Sequence, residues 1–139
     1  MKLRENFYSK LENAPQAVRL FLLSIIQYFE QDPITTVHYT LTGGGELRLA
    51  VAPSAESSKT RTRNFATLYW QSRNRVVFTR LYLTPSELAQ LDFHSASVPK
   101  RAAEPLLSEI RLSEIDLRDD SHKFVTVLEQ SKRKMLAVF

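Results

Sequence analysis

Between Asp32-Pro33 and Thr84-Pro85 the hydrophobic pattern of this chain repeats every two residues, and on the N-terminal side it repeats every three to four. A period of two sends alternate side chains to opposite faces of a strand, whereas a period of 3.6 collects them on one face of a helix. A chain patterned this way must place a central block of strands against flanking helices, because neither element can bury its apolar side alone.

Upstream, Leu3, Phe7 and Leu11 lie four apart, and Val18, Phe21, Leu22, Ile25, Ile26 and Phe29 recur at helical spacing. The spacing predicts a helical section over roughly Leu3–Gln31, broken near Asn13, which can cap a second helix with Pro15 in its first turn. Asp32-Pro33 ends it, since the residue before proline is pushed out of helical geometry.

Two hairpins follow. Ile34–Thr42 and Glu46–Ala52 flank Gly43-Gly44-Gly45. A three-residue turn sets Thr42 opposite Glu46 and pairs Leu41 with Leu47, Tyr39 with Leu49 and Val37 with Val51, leaving Thr40/Arg48 and His38/Ala50 on the other face. After a polar loop, Pro53–Thr62, come Arg63–Gln71 and Arg75–Leu83 around an Arg73-Asn74 turn. That register pairs Trp70 with Val77, Leu68 with Thr79 and Ala66 with Leu81, and on the reverse face Tyr69 with Phe78, Thr67 with Arg80 and Phe65 with Tyr82.

Thr84-Pro85-Ser86-Glu87 is a capping box that opens a short helix ending near Leu91. Asp92–Pro105 reads as a loop and Leu106–Leu112 as a fifth strand. Ser113–Leu117 reads as a turn of helix, and a last helix starts at Asp120 or Ser121 with Phe124, Val127, Leu128 and Met135 on one stripe. The expected fold is α+β: N-terminal helices, an antiparallel sheet of four or five strands built from two hairpins, and a C-terminal helix. At 139 residues and 43% hydrophobic, the chain suits a single domain, 1–139.

Charge is segregated along the chain. The net charge is only +4, yet residues 57–86 hold six bases (Lys59, Arg61, Arg63, Arg73, Arg75 and Arg80) and no acid. Residues 104–120 hold Glu104, Glu109, Glu114, Asp116, Asp119 and Asp120 against Arg111 and Arg118. The basic segment suits nucleic-acid phosphates, and Phe65, Tyr69, Phe78 and Tyr82 on one strand face could stack bases if that face is open. If the N-terminal helices cover it, the same residues are core. The acidic segment is either a solvated face or a docking surface for a basic protein partner.

Other chemistries find little support. There is no cysteine, so disulfides, thiolate metal sites and a cysteine nucleophile are excluded. His38, His94 and His122 lack the spacing of a metal site; Asp92-x-His94 and Asp120-x-His122 read as incidental or capping pairs. Glu46-x-Arg48 matches part of a metal-dependent nuclease element but has no upstream acid on its partner strand. No cofactor is expected. The most apolar run, Leu20–Ile26, is far short of the ~20 residues a bilayer requires, and no export signal is visible, so a cytoplasmic location and no membrane partner are expected.

The runs Arg63-Asn64-Phe65-Ala66-Thr67-Leu68 and Arg75-Val76-Val77-Phe78-Thr79-Arg80-Leu81-Tyr82-Leu83, with Glu109-Ile110-Arg111-Leu112 before a final helix, resemble a family of small uncharacterised bacterial α+β domains labelled predicted transport proteins. Those domains recur beside or fused to nuclease-like and restriction-associated proteins. The resemblance implies the α+β fold and a nucleic-acid-linked role in a defence or regulatory assembly; it implies no catalytic residue. Three functional expectations result. The first is a non-enzymatic nucleic-acid-binding module using the basic loops. The second is a module for a protein partner or anionic small ligand. The third is a metal-independent ribonuclease using Arg61, Arg63, Arg80 and Tyr82.

Overall fold

The computed structural model describes residues 3–40, 45–52, 62–94, 96–98 and 106–138, without the side chains of 119–121. Its elements run α1 (Leu3–Leu11), α2 (Gln16–Glu30), β1 (Thr35–Thr40), β2 (Glu46–Val51), β3 (Arg63–Gln71), β4 (Val76–Leu81), α3 (Pro85–Gln90), β5 (Ser108–Ser113) and α4 (Glu114–Val138). The strands form one antiparallel sheet in the order β1-β2-β3-β4-β5. The fold is the α+β arrangement expected, with the fifth strand present.

The helical stripe of α2 is buried along its whole length, from Val18 to Phe29. Its N-cap is Pro15 rather than Asn13, and no side chain caps it; the Asn13 N–H instead closes the end of α1 by donating to the Lys10 carbonyl at 3.3 Å. Past α2, the Asp32 carboxylate accepts from the Ile34 N–H at 3.1 Å and from the Thr35 hydroxyl at 2.7 Å, which turns the chain into β1. The expected capping box of α3 is formed by both reciprocal hydrogen bonds between Thr84 and Glu87.

The second hairpin keeps the expected register, from Ala66 opposite Leu81 to Trp70 opposite Val77. The first is slipped by two residues: Tyr39 faces Leu47, Val37 faces Leu49 and Thr40 faces Glu46. A two-residue slip returns every side chain to its original face, so alternation alone cannot detect it. The link between β1 and β2 is thereby five residues long instead of three.

The C-terminal helix also differs from expectation. It is continuous from Glu114, because Ser113 and Asp116 form their own reciprocal cap: Asp116 N–H donates to Ser113 Oγ at 3.3 Å and Ser113 N–H to Asp116 Oδ2 at 2.9 Å. Leu117, Phe124 and Ser131, each seven residues from the next, are all buried, which puts both sides of the acidic run on one inward-facing helix.

Helices α1, α2 and α4 share one side of the sheet, α1 and α2 against β1 and α4 across β2 to β5. The core between them includes Phe7, Phe21, Phe29 and Phe124 from the helices and Leu47, Leu49, Leu68, Leu81 and Ile110 from the sheet.

One bulge shapes the sheet. Leu49 pairs with Ala66 but Ala50 pairs with Asn64, which leaves Phe65 as the extra residue of β3. Its ring turns into the core against Phe29, centroids 5.7 Å apart. Its carbonyl accepts from Ser131 Oγ of α4 at 2.6 Å, and the same oxygen of Ser131 accepts from the Tyr82 N–H at 2.9 Å. The Tyr82 N–H also donates directly to the Phe65 carbonyl at 3.2 Å, so Ser131→Ala removes two hydrogen bonds but leaves neither backbone group without a partner, and is expected to cost about 1 kcal/mol, read from urea denaturation. A loss of a few tenths would show that the bulge needs no such bridge.

Candidate functional site: the helix-free face of the sheet

The residues that alternate away from the core line up across the strands in two rows. Register places His38, Arg48, Thr67, Arg80 and Glu109 side by side from β1 to β5. Thr40 and Glu46, then Tyr69, Phe78 and Arg111, form the row beside it. Helices α1, α2 and α4 pack on the opposite side, and Lys10 of α1 reaches round to Tyr69 on this one. With strands 4.7–4.9 Å apart, each row is roughly 19 Å long.

The chemistry of the face is mixed. Arg48 Nε donates to Glu46 Oε1 at 2.8 Å and Arg80 Nε to Glu109 Oε2 at 3.3 Å. Both carboxylates are 7% exposed. Phe78 is equally buried, because the guanidinium carbons of Arg80 and Arg111 lie 5.3 and 5.0 Å from its ring centroid. Tyr69 lies beside Phe78 at 5.5 Å and is half-buried, with its hydroxyl accepting from Gln71 Nε2 at 3.0 Å and the Lys10 ammonium 5.7 Å from its ring. Arg111 is exposed and has no carboxylate partner among the described residues.

The structure divides the residues that the sequence grouped. Of the four aromatics, Tyr69 and Phe78 are on the helix-free face. Phe65 is core, drawn inward by the bulge, and cannot stack a ligand. Tyr82 lies past the end of β4 beneath Lys134 of α4, 5.4 Å from its ammonium. Among the bases, Lys59 and Arg61 lie outside the described residues. Arg63 is half-buried opposite Val51, whose side chain is core, so its position in the register is on the helix side. Arg73 is exposed in the β3–β4 turn. Arg75 has a positive φ of 54° in the same turn and reaches Glu114 at 2.5 Å. Arg80 is on the helix-free face.

Two expectations change in consequence. The ribonuclease set does not assemble, since Arg80 and Tyr82 occupy opposite sides of the sheet. The described acids of the 104–120 stretch are engaged within the chain: Glu109 with Arg80, Glu114 with Arg75 and Arg118, and Asp116 in the helix cap. A basic protein partner would have to displace these contacts. His38, His94 and His122 are exposed on β1, after α3 and on α4; among the described residues no three His, Cys, Asp or Glu side chains are grouped to hold a metal ion, and no helix is long and apolar enough to cross a membrane.

Charge runs group residues by position in the chain, so Arg48 enters the sequence reading only through Glu46-x-Arg48 and Arg111 only as a base within the acidic segment, neither as a binding residue. The signal was in the alternation: Glu109 and Arg111 share a strand face, and pairing that strand with β4 sets them against Arg80 and Phe78. Compared with family models, curated proteins and solved structures, the chain matches none.

Proposed function

We propose that this chain is a non-enzymatic module that binds nucleic acid on the helix-free face of its sheet, with Arg73 at the turn extending the contact. The observation that carries this reading is Arg111: an exposed guanidinium resting on Phe78 beside Tyr69, with no carboxylate partner among the described residues. Arginine combines a permanent charge with a planar surface, the two properties that phosphates and bases recognise. A sheet face bearing aromatics and arginines is a known kind of platform for exposed bases.

The test is fluorescence anisotropy with labelled oligonucleotides over a salt series. The double variant Arg73→Ala/Arg111→Ala is expected to weaken binding by about tenfold or more. If Arg73 contacts a phosphate, the slope of log affinity against log salt should flatten by roughly 0.7–0.9. Arg133→Ala, an exposed position on α4 across the molecule, should change neither. No binding at low salt, or equal binding by the double variant, would sink the proposal.

A further inference from the structure

Resting on that reading, we infer that the ligand meets this face with its bases and is therefore single-stranded. The charge pattern decides between bases and phosphates. The described rows hold three guanidinium groups, Arg48, Arg80 and Arg111, but also two carboxylates, Glu46 and Glu109, fixed between them by ion pairs. Both carboxylates are buried and each is paired with its own arginine, so of the three guanidinium groups only Arg111 is left unpaired among the described residues of these rows, which offers a phosphate backbone few contacts to track. Bases have the complementary chemistry. Their rings stack on guanidinium and aromatic surfaces.

The packing of Phe78 specifies where stacking occurs. Arg80 and Arg111 cover its ring and leave it 7% exposed, so the ring is not itself the platform. The exposed guanidinium of Arg111, backed by that ring, is the outer layer, and a base placed on it completes a ring–cation–base stack. Tyr69, 5.5 Å from Phe78, supplies a second surface.

Shape excludes the duplex for the same reason. A major groove ~12 Å wide admits one helix or a two-stranded ribbon. A five-stranded face roughly 19 Å across cannot enter it and would meet only the phosphate exterior. Bases can stack on Arg111 and Tyr69 only from a strand in which they are unpaired.

The experiment compares anisotropy of three probes of equal length: a mixed-sequence single strand (as DNA and as RNA), the duplex of that sequence, and an abasic single strand carrying the same phosphates. The single strand, in at least one of its two forms, should bind about tenfold or more tightly than the other two. Arg111→Lys keeps the charge but removes the planar surface. It should weaken single-strand binding about tenfold and leave abasic binding unchanged. Thermal melting of Arg111→Lys should match the parent, since the residue is exposed. Equal affinity for the abasic strand or the duplex would overturn the inference while leaving a phosphate-binding module standing. Failure of all three probes to bind at low salt would remove the reading beneath it as well.

Discussion

Phe124→Ala should remove about 3–5 kcal/mol of stability. The ring is 1% exposed and makes edge-on contacts with Phe21 of α2 at 5.7 Å and with Phe93, just after α3, at 5.5 Å. It therefore sits where three segments meet, and truncation forfeits its own transfer from water, two aromatic contacts and the packing of the space left behind. In a chain of this size each kcal/mol lowers the melting temperature by roughly 2–4 °C, so a drop on the order of 10 °C is expected. Urea denaturation supplies the free energy directly. A loss below ~1 kcal/mol would mean that α4 is not clamped against α2 in this way.

Lys132→Met should cost about 3 kcal/mol near neutral pH, and the cost should shrink in acid. Lys132 is 7% exposed, with Nζ 2.6 Å from Asp32 Oδ2 and 3.0 Å from Glu129 Oε1, tying α4 to the turn between α2 and β1. Methionine keeps the aliphatic stem but leaves two carboxylates facing each other with no cation between them. Burial by itself would raise the Asp32 carboxyl. Hydrogen bonds from Lys132, the Thr35 hydroxyl and the Ile34 N–H, with the Lys132 charge, outweigh it and hold the carboxyl below its ordinary value. Burial likewise lowers Lys132, and its bonds to Asp32 and Glu129 outweigh that and hold it above its ordinary value.

A carboxylate depressed in the folded state stabilises above its unfolded pKa of about 3.9, and that contribution is lost as pH falls through the lower folded value. A raised lysine stabilises below about 10.4 and loses its contribution as pH rises through the higher folded value. The gap between parent and variant should thus be widest between about pH 5 and 9 and narrow toward about pH 3. Denaturation curves at several pH values read it, and a gap independent of pH would rule out the ion cluster as its origin.

The β3–β4 hairpin was readable because alternation and a short polar turn agreed on one register, and the α3 cap because its two hydrogen bonds are local. The β1–β2 register was not. Its apolar faces survive a two-residue slip, and the choice is made by contacts distant in sequence: Tyr39 packs its ring on Phe7 at 5.4 Å and Tyr8 at 6.2 Å. Gly45, at φ +131°, passes close to Phe7 where the chain enters β2. For α4, the Ser113-x-x-Asp116 cap was present in the sequence, but the acidic run beyond it reads as a fresh helix start unless the stripe from Leu117 to Phe124 is followed through it.

The segregation of charge along the chain is the clearest case of a pattern whose meaning changed on folding. The basic and acidic segments supply the two sides of the β4–β5 region, where Arg75 meets Glu114 and Arg80 meets Glu109. Much of the apparent polarity is consumed internally, and Arg111, a base inside the acidic run, becomes the exposed cation of the candidate face.

Local patterns by themselves determined the helices, the strands, their alternating faces and the α+β class, because period, caps and turns act over a few residues. Tertiary structure alone decided the slip of the first hairpin, the inward turn of Phe65 at the bulge, and which charges cancel and which remain outward. Those outcomes depend on strand register and on the packing of α4 against β3, which join residues as far apart as Phe65 and Ser131, and no short-range pattern carries that distance.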